Sequence, residues 1–320
     1  MIAVLPALVD LLPVRFRQAG FLRTAKKTFA FCEKPIDIWL YRLYTVYVYR
    51  ATPHPTGSGS AGERIHTMFG RKNKAMEAYI NGPYWVQGRQ ILDEAHILIA
   101  GSTGCGKSTL IHKLMWTALA TTPAQTQFVL IDMKAGMELG RYAHLPHTVR
   151  FARSGEEAIS ALDWSIAEMQ RRCDMMFNQG KVLWDGADLY IVIDELGFLL
   201  QLYGQEAIRK LTLISQQGRA AKVHLLLATQ NPSKQGIPAS IQQNMTALIG
   251  MKCRDAIQSR QIVGMAGCES LPRHGMAIRV MGMDADYLPI SLLPEGELEA
   301  RIAYWSDPKN YMRPRRTAAN

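Results

Sequence analysis

The sequence predicts an α/β fold in which a mostly parallel sheet is flanked by helices. From residue 96 onward, short apolar runs alternate with longer helical patterns, and the runs are continuously apolar, as expected of strands that are buried on both faces. A glycine-rich turn at Gly101–Ser108 joins the first apolar run to the first helical pattern. This order of strand, turn and helix is typical of nucleotide-binding α/β domains.

The first 62 residues are predicted to form a small N-terminal segment and linker. Residues 1–50 are rich in aromatic and basic side chains, and Thr52–Gly62 is dense in Pro, Gly and Ser. The segment could grip DNA, contact an anionic membrane surface as a peripheral element, or pack on the domain that follows. Its apolar stretch Ile2–Leu12 is too short to cross a bilayer, which takes about 20 apolar residues. We therefore predict no transmembrane helix.

The remaining chain is predicted to divide into a lead-in at residues 63–95, a nucleotide-binding ATPase domain at 96–293 and a C-terminal tail at 294–320. Ser154 with Glu157 forms a capping-box pattern that predicts a helix running toward Cys173. Five apolar runs within the domain are predicted strands: His96–Ala100, Phe128–Asp132, Leu189–Asp194, Val223–Thr229 and Thr246–Met251.

The turn after the first predicted strand fits the phosphate-loop pattern G-x-x-x-x-G-K-[ST]. Its glycines let backbone N–H groups converge on a phosphate, and the helix that follows adds its unpaired N-terminal donors. Lys107 is predicted to reach the β- and γ-phosphates, and the Ser108 hydroxyl to ligate Mg²⁺. The predicted nucleotide-binding residues are Gly101, Ser102, Thr103, Gly104, Cys105, Gly106, Lys107, Ser108 and Thr109.

Two acidic residues end the apolar run Leu189–Asp194. Triphosphate hydrolysis needs a Mg²⁺ site and a group that orients or deprotonates water. Asp194, at the tip of a strand, could hold Mg²⁺ through water, and Glu195 could polarise the attacking water. We predict that Asp194 is a metal-binding residue and Glu195 a catalytic one.

Gln230 and Arg219 complete the candidate catalytic set. Gln230 follows the apolar run Val223–Thr229, where a side-chain amide could sense the γ-phosphate or the attacking water. Arg219 precedes the same run. It could be a surface charge, or in a multimeric motor it could deliver a cation to a neighbouring subunit.

The composition favours an intracellular protein with a polyanionic partner. Lys and Arg exceed Asp and Glu to give a formal net charge of +10, which points toward nucleic acid or an anionic membrane. The five cysteines include no C-x-x-C pair, so neither a zinc site nor a disulfide framework is indicated. A reducing cytoplasm fits this cysteine usage.

Several segments between His96 and Met281 resemble, in order, the motor domain of the FtsK/SpoIIIE family of hexameric DNA translocases. The resemblance covers roughly 60% of the chain and includes segments outside the generic nucleotide motifs. These segments are His96–Ser108, Leu130–Lys134, Glu168–Arg172, Val192–Glu195, Gly218–Leu225, Ala228–Ser233, Ser259–Arg260 and Ala266–Leu271.

This resemblance implies a RecA-like core that assembles as a ring, expected to be a homohexamer, around double-stranded DNA and moves along it using ATP and Mg²⁺. It makes Arg219 the expected arginine finger supplied by a neighbouring subunit. It also places Gln230 and Arg260 near the nucleotide or the subunit interface. Asp132 and Lys134 are expected to lie near the site in structural or coupling roles.

The sequence also departs from the larger members of that family. We find no membrane-spanning N-terminal domain and no room for a C-terminal winged helix, and the segment Phe177–Asp188 is short. These departures favour the compact relatives of mobile elements, such as conjugative plasmids. Two other functions stay open: a protein-secretion ATPase of the same motor family, and a nucleotide-gated DNA-binding or coupling protein without sustained hydrolysis.

Overall fold

The computed structural model describes residues 90–231, 236–294 and 296–311. The predictions for residues 1–62, for most of the lead-in and for the end of the tail lie outside the described residues. Within the described part, no helix is both long enough and apolar enough to cross a membrane.

One sheet of eight strands organises the described residues, in the spatial order β3-β2-β4-β5-β1-β6-β7-β8. β1 to β6 run parallel, and β7 and β8 add an antiparallel hairpin at one edge. The strands are β1 His96–Ala100, β2 Thr126–Ile131, β3 Thr148–Ala152, β4 Asp188–Ile193, β5 Val223–Thr229, β6 Ala247–Gly250, β7 Met276–Met281 and β8 Asp284–Pro289. The predicted mostly parallel sheet is confirmed.

Seven α-helices follow β1 in the described ranges. They are α1 Lys107–Thr121, α2 Gly155–Asn178, α3 Leu196–Gln217, α4 Ala239–Gln242, α5 Ala256–Val263, α6 Glu297–Ser306 and α7 Pro308–Tyr311. The predicted capping of α2 is confirmed in part, since Ser154 Oγ accepts from the N–H of Glu157 at 3.3 Å. The Glu157 carboxylate, however, reaches back to the N–H of Arg153, one residue earlier than the capping box requires.

Apolar side chains fill both faces of the sheet. In β1, Leu98 and Ala100 face a cluster that includes α2, α3 and α5, whereas Ile97 and Ile99 face a cluster that includes α1 and α6. Successive strand residues point to opposite faces, so both sets must be apolar when helices cover both sides. This double burial explains why the central strands are continuously apolar in the sequence.

Three strands, β3, β7 and β8, were not predicted from the sequence, because they are not buried on both faces. β3 lies at one edge of the sheet and is half-buried, and β8 forms the opposite edge and is largely exposed. The hairpin partner β7 is also only partly buried. Such strands lack the continuous apolar run that marks β1, β4 and β5.

The segment predicted as a C-terminal tail contains α6 and α7. α6 buries Leu298 and Trp305 against the apolar face that α1 also covers. The Arg301 guanidinium lies over the Trp116 ring of α1, 4.6 Å from its centroid. Ten residues with two buried anchors suffice for a helix here because tertiary packing, rather than helix propensity, stabilises it.

Candidate nucleotide site

The phosphate loop, Gly101–Ser108, leaves the carboxyl end of β1 at the centre of the sheet. Ala100 pairs with Thr229 of β5 on one side and with Gly250 of β6 on the other, so three strand ends meet here. Gly101 has no space for a side chain, since a Cβ would lie 2.9 Å from Met251 Cβ. Gly106 has a φ of 104°, in the left-handed region that favours glycine. These glycines give the loop its tight turn.

The N-terminus of α1 offers donors to a phosphate. Gly106 is its N-cap, and among the described residues no side chain caps it and no acidic residue occupies its first turn. The N–H groups of the first turn, which includes Ser108 and Thr109, have no partners within the helix itself. An anion is favoured at such a position by these donors and by the helix dipole. The loop therefore fits a nucleotide phosphate.

Lys107 lies inside the loop rather than in solvent. Its Nζ donates to the carbonyls of Gly101 and Ser102, both at 2.8 Å, and lies 3.9 Å from Cys105 Sγ. Burial lowers the pKa of Lys107 below its ordinary value, although Cys105 and the Glu195 carboxylate oppose this shift. The ammonium group is thus held at the place where it could contact phosphate oxygens by exchanging one or both carbonyls for them.

Asp194, after the end of β4, fits the predicted metal position. Its Oδ1 accepts from the N–H of Met133 at 2.7 Å, and Lys134 Nζ lies 3.5 Å from Oδ2. Oδ2 is buried and has no hydrogen-bond partner among the described residues. Burial raises the pKa of Asp194 to about 6. This value is still below neutral pH, where the carboxylate is therefore mainly ionised. An ionised, buried oxygen without a hydrogen bond suits Mg²⁺ or its bound water.

Glu195 connects to the phosphate loop through a chain of hydrogen bonds. Its Oε1 accepts from Thr229 Oγ1 and from the N–H of Gln230, both at 3.1 Å. The Gln230 side chain in turn accepts from Thr103 Oγ1 of the phosphate loop at 2.6 Å. The ends of β4, β5 and the phosphate loop are therefore linked through polar groups, and the structure brings Glu195 and Gln230 together as a unit.

Asp132 supports this region and does not point into the nucleotide site. It is fully buried and accepts from the backbone N–H groups of Lys134, Glu138 and Leu139, at 2.9, 2.9 and 2.7 Å. These bonds fix the loop that presents Lys134 to Asp194. Burial lowers the pKa of Lys134, but the Asp194 and Glu138 carboxylates raise it above its ordinary value overall. The geometry therefore gives Asp132 a structural role.

We expect Asp132→Asn to destabilise the protein by about 1–3 kcal/mol, because the amide nitrogen cannot accept and leaves a buried N–H unpaired. The midpoint of urea denaturation would measure this change. Asp163→Asn is the matched control, since the Asp163 side chain is 56% exposed on α2. Equal midpoints for both variants would contradict the structural role of Asp132.

Arg219 and the phosphate loop lie at opposite ends of the parallel strands. The carboxyl ends of these strands form what we call the phosphate-loop edge of the sheet, and Arg219 lies at the edge formed by their amino ends. It is exposed in the turn between α3 and β5, just before the amino end of β5, whereas the phosphate loop adjoins the carboxyl end. Seven residues of β5 separate these edges, which corresponds to roughly 20 Å. This distance exceeds the reach of an arginine side chain, so Arg219 cannot contact the nucleotide site of its own chain.

Arg260 and Arg273 are the other two arginines of interest. Arg260 is exposed on α5, and no hydrogen bond or ion pair of the described residues joins it to the phosphate loop. Arg273, which the sequence patterns did not single out, does approach the loop: a Cβ on Gly104 would lie 3.4 Å from its Nη2. Gly104 and Arg273 lie far apart in the sequence, and the path of the chain before β7 brings them together.

Comparisons with known proteins agree with this geometry. Residues 72–184 match the FtsK/SpoIIIE family model. The chain is 30% identical over 231 residues to the DNA translocase FtsK of Pseudomonas aeruginosa, covering 59% of this chain and 28% of that protein. It is 34% identical over 188 residues to the FtsK of Caldanaerobacter subterraneus subsp. tengcongensis, covering 55% and 26%. The chain thus spans just over a quarter of the length of these relatives.

Solved structures of ATPases share the fold. The cytoplasmic domain of the type VII secretion ATPase EccC from Thermomonospora curvata superposes with a TM-score of 0.57 at 24% identity, over 69% of this chain and 29% of that one. The pCW3 conjugation coupling protein TcpA, solved as a monomer with ATPγS, gives a TM-score of 0.56 at 20% identity, over 62% and 60%. These similarities confirm the predicted RecA-like P-loop fold. The chain contains an FtsK/SpoIIIE family domain and is homologous to FtsK DNA translocases over more than half of its length.

Proposed function

We propose that this protein is an ATP-driven translocase of double-stranded DNA that works as a head-to-tail ring of identical subunits, expected to be a hexamer. The position of Arg219 is the observation that carries the proposal. Its own nucleotide site lies at the other edge of the sheet, so a site that contains Arg219 needs a second copy of the chain. A head-to-tail arrangement repeats this contact at every interface and closes into a ring when the rotation permits.

The residues at the carboxyl edge of the sheet have complementary roles in hydrolysis. Lys107 binds the β- and γ-phosphates, while Glu195, oriented by Thr229 and the N–H of Gln230, polarises the attacking water. Gln230 touches both Glu195 and Thr103, so it can report the state of the phosphate loop. When bound at Ser108 and Asp194, Mg²⁺ would neutralise charge on the phosphates. Arg219 from a neighbour would stabilise the charge of the transition state.

DNA is the proposed cargo for two reasons. The relatives that are about 30% identical are described as DNA translocases, and the chain has a net charge of +10. A basic protein gains affinity for DNA through counterion release, without reading bases. We place this activity in the cytoplasm, with residues 1–62 as a peripheral contact to DNA or membrane. The assignment to transfer or maintenance of a mobile element rests on the sequence resemblance, and the genes that neighbour its own would test it.

We expect duplex DNA of any sequence to raise steady-state ATP turnover several-fold, and log affinity to fall linearly with log salt concentration. Turnover would be measured with plasmid DNA, with heparin as a control for simple polyanion binding. Stimulation by a secreted protein but not by duplex DNA would favour the secretion ATPase instead. A single burst of hydrolysis without steady state would favour a nucleotide-gated coupling protein.

A further inference from the structure

The connection between α2 and β4, residues 179–187, is attached to the turn that carries Arg219. The N–H of Trp184 donates to the carbonyl of Ala220 at 2.9 Å. Ala220 follows Arg219 directly, so this bond fixes the connection beside the exposed cation. The two segments lie at the same edge of the sheet, which is the edge away from the phosphate loop.

A buried arginine strengthens this attachment. Arg172 is 1% exposed and donates from Nη1 to the carbonyls of Ala187 and Ala221, at 2.9 and 3.0 Å. The Arg172 Nε forms an ion pair with Glu168 Oε1 at 2.8 Å. The Arg172 guanidinium lies 5.3 Å from the centroid of the Trp184 ring. A buried charge is tolerated when it is paired and hydrogen-bonded in this way. The connection and the Arg219 turn are therefore held as one rigid unit.

The turn itself has an unfavourable backbone conformation. Lys222 has a φ of 53°, in the left-handed region where a Cβ lies too close to the following carbonyl oxygen. Arg172 Nη1 also lies 3.3 Å from the Lys222 carbonyl, and so contributes to holding the conformation. A turn that is held in this way presents Arg219 from a defined position.

The same unit exposes three large apolar side chains that are close together in the sequence. Phe177 is 86% exposed at the end of α2, and Val182 and Leu183 in the connection are 91% and 53% exposed. Clustered exposed apolar residues mark surfaces that bind a partner. We call these three residues the apolar cluster.

The phosphate-loop edge carries an apolar surface of its own. Phe198 and Leu202 are 44% and 53% exposed. They lie four residues apart on α3, which places them on the same helix face. α3 begins directly after Glu195, so both residues lie within the first two turns after the candidate catalytic carboxylate.

We propose that the apolar cluster docks on the phosphate-loop edge of a second copy of this chain, against Phe198 and Leu202. This inference rests on the proposed function. Arg219 can act only beside a bound triphosphate, and that triphosphate must be bound to another copy of the chain. Because the apolar cluster and Arg219 belong to one rigid unit, whatever approaches Arg219 also approaches the cluster. The interface thus consists of an apolar contact that positions the cation next to it.

The test is the double substitution Val182→Asp and Leu183→Asp. Sedimentation velocity with Mg²⁺, ATPγS and duplex DNA would measure assembly of the full chain. We expect the double variant to assemble at least about tenfold more weakly, because carboxylates would be buried without partners. Met283→Asp is the matched control, since Met283 is fully exposed at the tip of the β7–β8 hairpin, outside the cluster. It should assemble like the wild type.

A mixing experiment tests the two faces separately. Leu202→Asp alone should be weakened in assembly to a similar extent, but it keeps its apolar cluster, whereas the double variant keeps its Phe198 and Leu202. An equimolar mixture should therefore form a dimer with one intact interface. Absence of this dimer, when each variant alone stays monomeric and binds ATPγS, would overturn the proposed pairing.

The outcomes separate this inference from the proposed function. A wild type that stays monomeric with nucleotide and DNA would contradict the ring itself. A wild type that assembles alongside an equally well assembled double variant would overturn only the role of the apolar cluster. If residues 1–89 of the same chain cover the cluster, the double variant would melt at a lower temperature and assemble normally, which would also overturn it.

Discussion

Lys107→Ala is expected to lower the kcat/KM of ATP hydrolysis by at least about 10²-fold, the size of effect seen when one preorganised donor to a transition-state oxyanion is lost. In the structure the ammonium group is already held at the loop by two carbonyls, so little reorganisation is needed when phosphates replace them. Steady-state turnover with saturating duplex DNA would measure the loss, and fluorescent-nucleotide binding would show how much of it comes from affinity.

Lys210→Ala is a suitable control for that substitution. Lys210 lies on α3 outside the phosphate loop and pairs with Asp163 and Glu206. The substitution Lys210→Ala removes the same charge as Lys107→Ala, but at a position outside the nucleotide site. Turnover of Lys107→Ala within a few-fold of this control would contradict the assignment of the phosphate loop.

Glu195→Gln is expected to lower turnover by about 10²–10⁴-fold while nucleotide binding persists, because the amide keeps the shape of the side chain but cannot act as a base. Arg219→Ala should also lower turnover strongly, although its own phosphate loop stays intact. Measuring ATP hydrolysis and nucleotide affinity for each variant separates loss of chemistry from loss of binding.

Mixing these two variants tests whether Arg219 acts between subunits. Random assortment around a head-to-tail ring gives about one interface in four with both Glu195 and Arg219, so part of the turnover should return. Arg209→Ala, which removes an exposed arginine from α3, is the control that should stay active alone. A mixture that hydrolyses no more ATP than the two inactive variants measured separately would contradict the intersubunit role.

The most local features of this protein were predictable from the sequence. His96–Ala100 and Val223–Thr229 were predicted with the bounds that the structure has, because a strand buried on both faces is apolar at every position. The phosphate loop was predictable because its glycines, lysine and serine act within eight consecutive residues. The edge strands β3 and β8 and the helix α6 were not predicted, since partial burial leaves them a weaker pattern.

The candidate site shows the same division. The sequence placed Asp194 and Glu195 at the end of one predicted strand and Gln230 at the end of another. It contained no signal that Thr229 would bind Glu195, or that Arg273 would approach Gly104. These contacts join residues that are 34 and 169 positions apart, at distances set by the strand order.

The apolar strand runs, the phosphate loop and the two acidic residues at a strand end could be predicted from the sequence, because each of them depends on consecutive residues. The folded structure, in contrast, determines that Arg219 lies at the far edge of the sheet from its own phosphate loop. It also decided that Arg172 and Trp184 join the Arg219 turn to an exposed apolar cluster. Strand order and direction, rather than local pattern, determine which residues share an edge.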